Sequence, residues 1–515
     1  MFNYGIDRLS TGKALSILKG ELEASISKEA AEKIESSHQI VLRTAKGDQP
    51  VYGVNTGFGP LCDTIISKDH TSELQRKILL SHAVGVGDPI DSELSKLMLI
   101  LKVHSLSQGY SGISMDVLER ILWHIDNDVI PVVPEQGSVG ASGDLAPLAH
   151  LFLPLIGEGR VFYQGRITDA DSVLVEKGLE PVKLHPKAGL ALINGTQFIL
   201  AHAVMAVDRL YNCLAHADII GSLMIEGLMG SQMPFHESLH QTRPFPGNSH
   251  VANRIRHFLK DSEIGKSHEF CGKVQDPYSL RCMPQVHGSS RSAWLHLKES
   301  VETELNSVTD NPVIISDELI ISGGSFHGQP LALPLDYACL AAAELGSISD
   351  RRTYLSLEGK YEGTPRLLMK DTGLNSGFMI LQYTSAALVS ENKGLCFPAS
   401  ADSIPTSLGQ EDHVSMGSIA GRKALRVIRN LERILAIELL CAAQAFDFRK
   451  PLKSSAFLDR THELIRQSID FAQEDRIFSL DVEKAHQLII DRSLVELSRA
   501  MHSSYGAYDE MFESY

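Results

Sequence analysis

Cysteine is scarce and unpatterned here: the 515 residues hold seven, an odd number, with no C-x-x-C pair. That argues against a disulfide framework and a thiolate zinc site, and it fits a reducing interior such as the cytosol. Basic charge is also in deficit. With 48 Lys and Arg against 63 Asp and Glu, the formal net charge is -15, a sign that repels nucleic acid and anionic membrane surfaces. Neither partner is expected. The amino terminus, MFNYGIDRLSTGKALS, lacks the basic-then-apolar layout of a secretory leader. A clean hydrophobic span is missing too. The most apolar long stretch, AGLALINGTQFILAHAVMAV (188–207), carries Asn194, Thr196, Gln197 and His202, so it reads as a buried helix with embedded polar groups and not as a membrane span. There is no internal repeat, low-complexity tract or Ser/Gly linker.

What is present is a change of character along the chain. Residues 1–185 are mixed, with helical patterns near 72–84, 92–108 and 115–127 separated by Gly/Pro punctuation, and a small hairpin around Gln164-Gly165. From 186 to 515 long helices dominate, with candidates at 291–308, 329–357 and 376–393 and a short hairpin in VIISDELIISGG. In the clearest of them, 413–446, Leu425, Ile428, Leu431, Leu435 and Leu439 recur at helical spacing while Arg422, Arg426, Arg429 and Arg433 share another face. Past Ile434 it turns apolar nearly all round, as an enclosed helix must. The expected class is mainly α: a mixed amino-terminal region, 1–185, and a long-helix bundle, 186–515, sharing one core.

One stretch demands a chemical explanation. GSVGASGDLAPLAH (137–150) crowds three glycines and two serines around Ala141-Ser142-Gly143 and follows them with Asp144. The plain reading is a flexible turn whose Asp144 caps the next helix. Other polar clusters sit elsewhere: Tyr52 and Asn55 in VYGVNTGFGP, His82 ending an apolar helix, Asn194 in LINGTQ, Gln275, Tyr278 and Arg281 in VQDPYSLRC, Phe326 in SGGSFHGQP, and Gln410, Glu411 and Asp412 in SLGQEDHVSMG. Arg281 is the residue type that grips a carboxylate with two parallel donors. HESLH (236–240) matches a zinc-protease pattern, but Pro234 before it and TRPFPG after it leave no room for the long helix that motif needs. No metal is expected, and these histidines are assigned to a surface loop.

Taken together, YGVNTGFG, SVGASGDLAPLAH, INGTQ, YSLRC, TDNP, GFMILQYTSAALVSENK and GQEDHVSMG occur in one order that resembles the aromatic amino acid lyase family across nearly the whole chain. The resemblance implies a fumarase/aspartase-like helical fold and a homotetramer whose active sites combine residues from more than one subunit. It implies that Ala141-Ser142-Gly143 condenses on itself into 4-methylideneimidazol-5-one, with no external cofactor. It further implies a small amino acid substrate held by His82, Asn194, Gln275, Arg281 and Phe326, with Tyr52, Tyr278 and Glu411 in catalytic roles. Tyr52 is the preferred base at the β-carbon, with Glu411 as its rival. Glu411, where lyases for phenylalanine or tyrosine carry Gln, favours L-histidine as substrate and urocanate as product. A tyrosine or modified-histidine lyase, or a 2,3-aminomutase, is the alternative within the family; a non-catalytic helical assembly protein is the alternative outside it. Two departures sit among these motifs: Ser325 in GGSFHG, where many relatives have Asn, and Cys396-Phe397 before Pro398.

Overall fold

The computed structural model describes residues 1–61, 64, 66–67, 70–269 and 274–515. Helices dominate it: α1 (Thr71–His82), α2 (Ser92–Leu106), α3 (Met115–Asp126), α4 (Leu145–Phe152), α5 (Ala188–Ile193), α6 (Gln197–Gly227), α7 (Met283–Leu305), α8 (Gln329–Leu357), α9 (Met379–Leu395) and α10 (Gly417–Asp447), with shorter ones between. Strands are few and short. β1 (Ile130–Pro131), β2 (Arg160–Tyr163) and β3 (Arg166–Asp169) form an antiparallel sheet in which Tyr163 pairs with Arg166 around the expected Gln164-Gly165 turn. β4 (Val313–Ile314) and β5 (Ile320–Ile321) make the second small hairpin. The mainly α class and the long helices agree with the sequence periodicity.

The chain divides into two compact units, neither continuous in sequence. The first comprises residues 1–205, 298–335 and 398–422, the second residues 206–297, 336–397 and 423–515. Both draw residues from beyond position 186.

Burial follows the patterns that define the helices. Along α10 the expected apolar face, Leu425 to Leu439, is buried, and from Ile434 to Phe446 every residue is buried. α6 and α8 are long and apolar enough to cross a membrane, but 83% and 67% of their most apolar windows are buried inside the protein. Most of the apolar surface of α6 is covered by packing, as in a core helix, while α8 keeps Leu333, Tyr337, Leu340 and Tyr354 exposed.

The stretch 188–207 corrects an expectation. It is not one helix. α5 ends at Asn194, whose φ of -76° and ψ of 136° are extended, Gly195 takes φ +125°, and α6 begins at Gln197. A side chain at Gly195 would collide with Gln197 and Thr309, whose nearest atoms lie 2.5 and 2.7 Å from the Cβ position. The break is therefore a packing requirement as well as a turn. HESLH also departs in part from its expected place: His236 is exposed, but His240 is buried and its Nε2 bonds the Pro234 carbonyl at 3.0 Å. Its helix, Glu237–Gln241, is five residues long, and no cluster of metal-ligating side chains occurs among the described residues.

Candidate active site

The Ala-Ser-Gly segment lies in the first unit, in a bend that ordinary residues avoid. Ser142 has φ +49° and Gly143 φ +78°; the left-handed region costs a non-glycine residue roughly 1–3 kcal/mol when a neighbourhood enforces it. The neighbours are identifiable. A Cβ at position 143 would lie 2.1 Å from the Gly195 carbonyl oxygen, and one at position 140 would lie 2.1 Å from Ser415 Oγ. Only glycine fits either place. Gly195 also accepts the Asp144 N–H at 2.8 Å and donates to the Ser142 carbonyl at 3.4 Å, so the helix break at 194–196 and the tripeptide hold each other. On the other side Met416 N–H donates to the Val139 carbonyl at 2.9 Å, and Ala141 is buried against Val414 and Met416.

Asp144 stands at the N-cap position of α4 but makes no side-chain cap there. Its carboxylate accepts from Ser138 Oγ at 3.0 Å and from the Ile199 N–H, in the first turn of α6, at 2.9 Å. It thus caps a helix 55 residues away in sequence and ties the bend to that helix start. Burial pushes its pKa up to about 7, against the hydrogen bonds from Ile199, Ser138 and Phe198.

Over this bend opens a cavity of about 850 Å³, lined among others by Tyr52, Phe58, His82, Ser142, Asn194 and Glu411. Each comes from a different local device. The Tyr52 hydroxyl accepts the Gly59 N–H at 3.2 Å, closing the glycine-rich loop on itself. His82 is the last residue of α1, its Nδ1 2.9 Å from Ser81 Oγ. Desolvation lowers its pKa, opposed by the Ile78 backbone and the Glu411 charge. Asn194 is buried, and its Oδ1 has no hydrogen-bond partner among the described residues. Such an unsatisfied buried oxygen, on a residue that lines the cavity, calls for an explanation.

Glu411 is the centre of the polar contacts. Its Oε1 accepts from Ser142 Oγ at 3.0 Å, and its Oε2 from Thr406 Oγ1 at 2.9 Å and Ser407 Oγ at 2.8 Å. It does not cap α10, which begins six residues later. Ser407 and Leu408 have φ +50° and +56°, and this tight 406–411 turn aims the carboxylate at Ser142.

The remaining expected residues lie elsewhere. Phe326 is half-buried in its bend and does not line the cavity; two residues on, a Cβ at Gly328 would come within 2.8 Å of the same Ser415 Oγ that fills the space over Gly140. Gln275, Tyr278 and Arg281 belong to the second unit. There Arg281 Nη2 donates to Gln275 Oε1 at 2.9 Å, its guanidinium lies 4.6 Å from the Tyr278 ring centroid, and its Nε–H has no partner among the described residues. Tyr278 is 70% exposed. Sequence reasoning missed Thr406 and Ser407, which stand just ahead of the GQED motif, and Lys102. The signal for Lys102 was a single cation inside the apolar run LMLILKV.

Comparison with known proteins decides the family. The sequence model described as aromatic amino acid lyase matches residues 9–467. The chain belongs to the aromatic amino acid lyase family. It is 46% identical over 495 residues to the histidine ammonia-lyase of Myxococcus xanthus (strain DK1622), covering 96% of this chain and 97% of that protein. The crystal structure of histidine ammonia-lyase from Trypanosoma cruzi superposes with a TM-score of 0.90 at 38% identity, over 99% of this chain and 96% of that one. The tyrosine aminomutase of Streptomyces globisporus gives the same TM-score at 32% identity, covering 96% and 97%. The helical lyase fold is common to this chain and these two solved structures.

Proposed function

We propose that this chain eliminates ammonia from L-histidine to give urocanate, a carbon–nitrogen lyase reaction. The observation that carries this reading is the Glu411 carboxylate in the cavity, one oxygen on Ser142 Oγ, with the His82 ring lining the same cavity. A carboxylate there accepts an imidazole N–H or pairs with imidazolium, whereas beside a phenyl ring it would be desolvated with nothing in return. The identity to relatives named histidine ammonia-lyase points the same way.

The Ala141-Ser142-Gly143 segment fits the condensation to 4-methylideneimidazol-5-one that the family implies. Gly143 has no room for a Cβ, Ser142 is already in a left-handed bend, and Asn194 lines the same cavity. That group supplies an electrophile, which ordinary side chains lack. The rest of the work falls to side chains. Tyr52 removes the β-proton; a phenol needs help to ionise near neutrality, and the Gly59 N–H on its oxygen is a donor of the right kind. Glu411 and His82 hold the imidazole. Asn194 receives the substrate's donor groups, and Phe326 packs behind the bend. Arg281 grips the carboxylate, with Gln275 and Tyr278 orienting it. A cytoplasmic homotetramer with shared active sites is part of this proposal. Supporting it, Tyr278 is largely exposed, the buried Arg281 Nε–H has no partner among the described residues, and Tyr337, Leu340 and Tyr354 on α8 and Ile380 and Tyr383 on α9 are exposed apolar residues of the kind that subunit contacts cover.

Urocanate absorbance during incubation with L-histidine, run beside L-tyrosine and L-phenylalanine, tests the substrate. Faster turnover of tyrosine would overturn the assignment. Glu411→Gln removes a charge-assisted bond of about 1.5–3 kcal/mol, so histidine turnover should fall about 10–100-fold more than any tyrosine turnover; equal losses would remove Glu411 from imidazole recognition. Tyr52→Phe should lower kcat by about 10²–10⁴-fold, the range for a lost general base, and near-normal turnover would end its role as base.

A further inference from the structure

We infer that Lys102 is a positioning residue for the condensation of Ala141-Ser142-Gly143, acting through the one peptide group that joins Asn194 to Gly195. The inference deepens the reading above and rests on it. Lys102 sits on α2 with 1% of its surface exposed. Its ammonium donates to the Asn194 carbonyl oxygen and reaches Gln197 Oε1 at 3.4 Å. The N–H of that same peptide, on Gly195, donates to the Ser142 carbonyl at 3.4 Å. A cationic donor on a peptide oxygen draws electron density from the amide and makes its N–H a stronger donor, the cooperative effect of linked hydrogen bonds in a low-dielectric interior.

The surroundings act on that charge in both directions. Desolvation brings the Lys102 pKa down to about 7, with the Lys187 charge adding to the effect and Asp310 and Asp144 opposing it. Lys187 is itself buried and tied to Asp310 Oδ2 at 2.5 Å and to the Ser111 carbonyl at 3.0 Å. An unpaired lysine costs stability in such a place. Its contact with the carbonyl of Asn194, which lines the cavity, supplies a reason for it to be there.

The chemistry shows where the effect falls. In one loss of water the Gly143 nitrogen bonds to the Ala141 carbonyl carbon, and the carbonyl oxygen departs with the amide protons of Gly143 and Ser142. In the other, Ser142 gives up its Cα proton and its Oγ hydroxyl, and the Cα–H electron pair becomes the Cα–Cβ double bond. As that Cα–H bond breaks, negative charge spreads onto the Ser142 carbonyl oxygen. This is the atom the Gly195 N–H faces, and a donor aimed at developing charge stabilises it. Lys102 strengthens that donor and fixes its place; it touches none of the reacting atoms.

Intact mass of the purified full-length chain tests the inference. Wild type should be two waters lighter than its sequence; if both waters remain, it is the reading under Proposed function that fails. Lys102→Met, close in volume but without charge, should give a folded protein in which the species one water heavier than wild type is at least about tenfold more abundant. Lys102→Arg, which keeps the cation, should restore the wild-type mass at least in part. Lys102→Met maturing like wild type would overturn the inference. So would a Lys102→Met protein that keeps both waters or is insoluble, since Lys102 would then serve folding alone.

Discussion

Ser142→Ala should yield a folded protein that forms no measurable urocanate, with turnover down by about 10³-fold or more, the scale seen when an indispensable reacting group is removed. The argument is chemical before it is structural. Without the Ser142 hydroxyl there is no leaving group for the second water, so the variant can lose at most one. Stability should change little. The one described hydrogen bond of Ser142 Oγ, to Glu411, is given up in wild type too when the hydroxyl leaves, and alanine meets the same φ of +49° as serine. Urocanate absorbance and intact mass, read on the same sample with a thermal melt, separate lost chemistry from lost structure. Wild-type turnover by Ser142→Ala would remove the electrophile, and with it the proposed reaction.

The second large effect concerns stability, in the other unit. Asp218 on α6 is fully buried and accepts from Arg254 Nε at 2.9 Å, Arg291 Nη2 at 2.5 Å and His287 Nδ1 at 2.8 Å. Glu513, two residues from the end of the sequence given, adds a second carboxylate, bonded to Arg254 Nη1 and His250 Nε2, each at 2.7 Å. Asp218→Asn keeps the shape and removes the charge, leaving two buried guanidinium groups with Glu513 as their remaining carboxylate. Breaking such a pair typically costs about 3–5 kcal/mol, which a chemical denaturation midpoint would register. An unchanged midpoint would show that the network is not a source of stability. Burial opposes ionisation of Asp218 and Glu513, but the two arginines outweigh it and hold both carboxyls well below their ordinary range. The sign follows. Stability from these groups is fully present above the unfolded carboxyl values, near 4, and is lost as pH falls below them toward the folded values. In Asp218→Asn that acid-induced loss should be shallower.

Much of the site was legible because its chemistry is local. Residue types that do one thing well, such as the glycines around Ser142, a carboxylate in GQED and a tyrosine in a glycine-rich loop, announce themselves one stretch at a time. Ser142, Tyr52, His82, Asn194 and Glu411 do meet at one cavity. What hid was whatever depends on a distant partner. Residues 188–207 look like a single helix because the break rests on the close approach of Thr309 to Gly195 and the pairing of Gly195 with Gly143, both distant in sequence. Asp144 looks like a cap for its own helix because nothing nearby in sequence points to Ile199.

Helical periodicity, the crowded small residues at 137–143 and the excess of acidic over basic side chains were enough to determine a mainly α protein with a built bend and a net negative charge. Those properties come from spacing and composition, which a linear string contains. The tertiary structure alone decided which wall Glu411 faces, which helix Asp144 caps and why a lysine lies buried at position 102. Each is set by contact between segments far apart in the chain, where close packing admits one partner and shuts out the rest.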